Sequence, residues 1–143
     1  MNRHRKPSAL ASSLLARRHR MDLPRDSIML QIRMFRNMLA EREGTEAMWG
    51  ELAGIINVFG VYTHHHRLPE FRLIVAGADA LRAVEARHNR VGGRWVAIDG
   101  EIEPLTLALN AIDHDLMPTM PIVEFVRIAT AINAAATEER EHA

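Results

Sequence analysis

The stretch IDGEIEPLTLALNAIDHDLMP, residues 98–118, decides the fold class. Its apolar residues Ile98, Ile102, Leu105, Leu109, Ile112 and Leu116 step by four, three, four, three and four, which draws one stripe down a helix of 3.6 residues per turn. Asp99, Glu101 and Glu103 suit the positive end of that helix dipole. Pro104 fits only in the opening turn, where its missing N–H is not needed.

The same period extends in both directions. Upstream, LPEFRLIVAGADALRAVEARHNRVGG, residues 68–93, places Phe71, Ile74, Val75, Ala78, Leu81 and Val84 on one face, with Pro69 suited to the first helical position and Gly92-Gly93 as the stop. Before it, residues 44–62 offer Thr45 as a cap, Glu46 in the first turn, and Met48, Trp49, Leu52, Ile55, Ile56 and Phe59 at three and four. A first helix over 27–42 carries Ile28, Ile32, Phe35 and Leu39, and the short link between these two favours an antiparallel hairpin. Downstream, a fifth helix from about Thr119 has Pro121 near its start and Ile122, Phe125, Val126, Ala129 and Ile132 inward. Residues 94–100, RWVAIDG, read as a loop whose Trp95 packs on the core, because a lone strand finds no partner in this pattern. Met29, Met34, Met38 and Met48 fall at helical spacing and read as core packing.

The expectation is a single-domain, all-α bundle of about five helices over residues 26–137. A basic, flexible N-terminal arm precedes it over 1–25, and a charged tail, 138–143, frays at the end. At 143 residues and 48% hydrophobic composition the chain is long enough for one core. No run of about 18 apolar residues exists to span a bilayer. Zero cysteines exclude disulfides, thiolate metal sites and a cysteine nucleophile.

Net charge is zero over the chain but divided along it. Residues 1–25 hold seven basic side chains and one acid, a net of +6; the remaining 118 hold 11 basic and 17 acidic, a net of −6. Arg3, Arg5, Lys6, Arg17, Arg18 and Arg20 form an arm that can contact nucleic-acid phosphates, a membrane surface or an acidic protein partner, or rest against its own body. The arm's alanine and leucine run is broken by serines and followed by Arg17-Arg18 where a secretory cleavage site should lie, so secretion is rejected and a cytoplasmic location expected. Residues 2–21, arginine- and serine-rich and without an acid, share their composition with organelle transit peptides.

The segments RDSIMLQIRMFRNMLAEREGTEAMWGELAGIINV and GGRWVAIDGEIEPLTLALNAIDHDL, set between a basic start and a last helix, resemble small accessory proteins that recur in prophages and plasmids of proteobacteria. The resemblance spans most of residues 26–130 and rests on the pattern W..L...INV and on GRW before an acidic helix start. No activity is assigned to that family. The resemblance therefore implies a mobile-element setting and no functional residue.

Chemistry is narrowed by elimination. Ser8, Ser12, Ser13 and Ser27 lie in or beside the arm and Lys6 is the single lysine, which leaves the body without a serine, cysteine or lysine nucleophile. No phosphate loop or dinucleotide turn is present, and no cofactor is expected. His64, His65 and His66, with His114 between Asp113 and Asp115, are the one set of candidate metal ligands. Spacing opposes them, since adjacent residues on a helix point about 100° apart; His64 and His66 converge only from an extended segment. The favoured reading of the triplet is a polar helix end, where histidines and Arg67 meet free carbonyls. His114 and His88 read as solvated helix faces. No catalytic residue is expected: the chain reads as a non-enzymatic interaction or modulator protein, with nucleic-acid binding through the arm as the alternative. A homodimer is compatible with apolar area that five short helices leave uncovered.

Overall fold

The computed structural model describes residues 24–142. The arm's charged residues Arg3, Arg5, Lys6, Arg17, Arg18 and Arg20, and the flexibility expected of them, lie outside the described residues. Five α-helices follow in order: α1 (Pro24–Glu41), α2 (Glu46–His65), α3 (Phe71–Val91), α4 (Asp99–Asn110) and α5 (Ile122–His142). The all-α expectation holds, with two additions that periodicity does not reveal.

The first is a two-residue antiparallel ladder. β1 (Glu43–Gly44) in the α1–α2 link pairs with β2 (Trp95–Val96), so the RWVAIDG segment is not a partnerless loop. Its partner is the tight link itself, where Arg42 takes a left-handed φ of 69° and turns its carbonyl toward the Ala97 N–H, 2.8 Å away. Gly44 gives the crossing its close fit, since a β-carbon there would stand 2.6 Å from the Met38 side chain, which would have to shift.

The second addition is a π-helical turn, Ala111–Leu116, that extends α4. The apolar stripe persists through it: Leu105, Leu109, Ile112 and Leu116 are buried, while Ile98 at 52% exposure is not. Ile98 sits at the N-cap with extended backbone and so falls off the helical stripe. Pro104 is the sixth helical residue rather than one of the opening turn. Its missing N–H frees the carbonyl of Gly100, which is exposed, so water can satisfy it.

Elsewhere the boundaries move by a few residues. α1 begins at Pro24, suited to a first helical position. Pro69 lies in the turn before α3, which starts at Phe71, and α5 starts at Ile122 and continues through the acidic tail to His142. Val75 and Met34 are exposed, because the buried lines of their helices run through Ile74, Gly77, Ala80 and Val84, and through Ile28, Ile32, Phe35 and Leu39.

The core gathers all five helices. Phe59 of α2 meets Phe125 of α5 with ring centroids 5.8 Å apart, and Leu105, Ala108 and Leu109 close α4 onto α3. That approach is tight because Gly77 lacks a side chain: a β-carbon on it would stand 2.7 Å from that of Ala108. Among the described residues, no helix is long and apolar enough to cross a membrane.

Candidate functional site

The histidine triplet closes α2. His66 N–H donates to the Tyr62 carbonyl, Arg67 N–H to His64 and Leu68 N–H to Thr63, with Arg67 in the left-handed region at φ 55°. This is the Schellman pattern of a helix end, with arginine in the place glycine usually holds and Leu68 packed against the core. The polar-end reading therefore describes the backbone, and the side chains complete it. His64 lies against the Phe71 ring, and His66 contacts the Tyr62 ring and places Nε2 2.7 Å from Glu124 Oε2 of α5. Since the left-handed region costs a β-carbon-bearing residue about 1–2 kcal/mol, Arg67→Gly is expected to raise stability by about 1 kcal/mol, read as a shift in urea midpoint at unchanged slope. No gain would mean that arginine side-chain contacts offset the backbone strain.

The structure does not bring the triplet together with His114. His114 sits on the π-helical turn, its side chain 69% exposed and 3.9 Å from Asp113 Oδ2. Asp113 itself is taken by Arg36 of α1, whose fork also donates to Asn110 Oδ1 at 2.6 Å. Among the described residues, no three histidine or carboxylate side chains are grouped to hold a metal ion.

A different site emerges between α2 and α3. The N-terminal half of α2 presents small residues, Gly50 and Ala53, toward Ala78 and Leu81 of α3, and β2 carries Trp95 over the end of the gap. The resulting groove has a volume of about 610 Å³, within the range of about 300–1,000 Å³ typical of binding clefts. Trp49 and Ile56 form its buried floor; Glu46, Asn57, Arg82, Glu85 and Asn89 form an exposed rim.

One wall is a stacked pair. His88 lies on the Trp95 ring with centroids 4.1 Å apart and planes at 20°. His88 is thus half-buried, not part of a solvated face, and among the described residues its buried Nδ1 has no hydrogen-bond partner, as is true of the indole Nε1 of Trp49. Both atoms lie beside the groove.

The wall is held by one ion pair behind it. Arg87 Nη1 donates to Glu101 Oε2 at 2.7 Å, and Nη2 donates both to Glu101 Oε1 and to the Val96 carbonyl at 2.7 Å. Glu101 Oε1 also accepts the Ile98 N–H at 3.0 Å. One carboxylate therefore caps α4, anchors α3 and, through Arg87, fixes β2 under Trp95. The Arg87 hydrogen bond is the main cause that holds the Glu101 carboxyl below the usual glutamate range; burial opposes it, and the Ile98 N–H and the arginine's charge reinforce it. Arg87 is raised in turn, chiefly by its hydrogen bond to Glu101.

In the sequence, Trp49 reads as one residue of a core stripe and Trp95 as a core contact. The signal that could have marked the groove is the coincidence of Gly50 and Ala53 on α2 with Ala78 on α3, which leaves a gap beside two tryptophans. No family model, curated protein or solved structure matches the chain.

Proposed function

We propose that the protein is a non-enzymatic interaction protein, encoded on a mobile element and acting in the cytoplasm, that holds a helical segment of a partner protein in the α2–α3 groove. The observation that supports this reading is the groove itself: an aromatic and small-residue floor with a polar rim, the shape that takes the apolar face of an amphipathic helix. The composition of the body supports it as well, since beyond Ser27 it has no serine, and it has no cysteine or lysine to act as a nucleophile. Glu85 and Arg82 on the rim give a partner segment one charge of each sign to meet.

The test is a pull-down with the full chain from host lysate at about 150 mM salt with nuclease present, comparing wild type with Ala53→Trp, which fills the groove, and with the exposed rim substitution Glu85→Arg. A defined protein that wild type retains and both variants lose by at least about tenfold, with unchanged thermal melting, is the expected result. Equal recovery by all three would reject the groove. Recovery of bulk nucleic acid that nuclease abolishes would move the function to Arg3, Arg5, Lys6, Arg17, Arg18 and Arg20.

A further inference from the structure

From the way residues 92–97 are held, we propose that they form a strap that swings on Gly92 and Gly93 and, when closed, covers the Trp49 end of the α2–α3 groove. Both glycines are exposed with positive φ, 79° and 81°, and a β-carbon on either would have nothing within 4 Å, so the chain can rotate there without meeting its surroundings. Gly92 combines its φ with a ψ of −168°, a backbone region that essentially only glycine enters. The side chains of Val91, Val96 and Ile98 are exposed, which leaves the Trp95 ring and the Ala97 methyl as the strap's attachments to the core.

The polar attachments are few, and their release leaves no buried charge alone. The ladder to β1 is two residues long, too short to hold itself. Arg94 meets Glu43 at 3.1 Å in an ion pair whose arginine is 80% exposed, a setting in which such pairs contribute little. Arg87 donates to the Val96 carbonyl but keeps both oxygens of Glu101 when that carbonyl leaves. His88 rests on the Trp95 ring, and the Ala97 N–H donates to the Arg42 carbonyl. What the strap covers is an indole. Gly44 is the ladder partner of Trp95, and its β-carbon position lies 3.5 Å from Trp49 Nε1, so the ladder crosses the nitrogen edge of that ring. The consequence rests on the proposed reading of the groove: the closed strap ends a partner's seat at Trp95, and the open strap lengthens it over Trp49 toward β1.

Hydrogen exchange in the full chain, followed by NMR, needs no partner. Its failure would leave the proposed partner in place, and failure of the pull-down would leave the strap. The Ala97 amide and the Trp49 indole N–H are expected to exchange together and at least about a hundredfold faster than the Phe59 amide in the core of α2, as in a local opening short of global unfolding. Glu43→Cys with Val96→Cys supplies a lock in a chain that has no other cysteine, since partners in an antiparallel pair stand about 4.5–5.5 Å apart at Cα, within the disulfide range. Oxidation is expected to slow both strap protons at least about tenfold relative to Phe59, and reduction to restore them. His88→Ala, which removes the stack on Trp95, is expected to speed both several-fold. Strap protons as slow as Phe59, a lock that slows all three alike, or an indole proton indifferent to the lock would each overturn the strap. Unchanged rates in His88→Ala would do so without reliance on the lock.

Discussion

Replacing Phe59 with alanine is expected to lower the unfolding free energy by about 3–5 kcal/mol, the loss seen when a buried aromatic ring is cut to a methyl group. Phe59 is fully buried, and its ring meets Phe125, so the cavity would open between α2 and α5, which no hydrogen bond between their backbones holds together. Against a total of about 5–15 kcal/mol for a domain of this size, that is enough to unfold a sizeable fraction of molecules near physiological temperature. Phe59→Leu keeps most of the volume and is expected to cost roughly 1 kcal/mol, within the range of volume-conserving core changes. Urea denaturation of both variants checks the pair. Similar losses for leucine and alanine would show that the tilted ring–ring contact, and not the side chain's volume, supports the α2–α5 packing.

The second large effect is at Arg87. Its partner Glu101 has a side chain only 8% exposed, and removal of one member of a buried pair leaves an uncompensated charge that costs about 3–5 kcal/mol. Because Arg87 is itself 26% exposed and Glu101 keeps the Ile98 N–H, Arg87→Ala is expected near the lower end, about 3 kcal/mol. The pH dependence has a definite sign. Glu101 is depressed in the folded state, so its contribution is complete above the ordinary glutamate value near 4.5 and is lost as pH falls through the lower folded value. Wild type should therefore lose stability steeply below about pH 4.5, and Arg87→Ala should show a flatter acid limb from a lower plateau. Parallel acid limbs in the two proteins would show that the pair does not titrate with folding. The same substitution frees Trp95, so a shift in its fluorescence should accompany the loss.

The helices were legible because their apolar residues repeat at three and four over lengths of 12 or more residues, where chance alignment is rare. Elements too short to carry a period were not. Two residues of β1 against two of β2 offer no alternation to detect, and the pairing depends on the turn at Arg42, whose left-handed backbone no glycine announces. The π-helical turn is invisible for a related reason: Leu109, Ile112 and Leu116 are spaced by three and four whether the helix is α or widened by one residue. The groove was missed because its parts, at positions 49, 88 and 95, meet only after α2 and α3 pack, while each has an adequate local explanation. His88 is the clearest case. Between Arg87 and Asn89 it reads as a solvated polar position, yet Arg87 is drawn back to Glu101 and the histidine ring is left to cover Trp95.

The π-helical turn at Ala111–Leu116 also bears on how this chain can vary. A single wide turn is geometrically a helix holding one residue more than its neighbours need, so its removal returns the segment to the α pitch while the residues before and after keep their places. Arg36 grips Asn110 and Asp113, and Arg25 donates to the carbonyls of Met117 and Met120, so two arginines of α1 brace the segment from both sides of the surplus residue. Within this bundle the segment is thus the place where removal of one residue is expected to cost least, with Leu105 and Phe125 remaining in the same core.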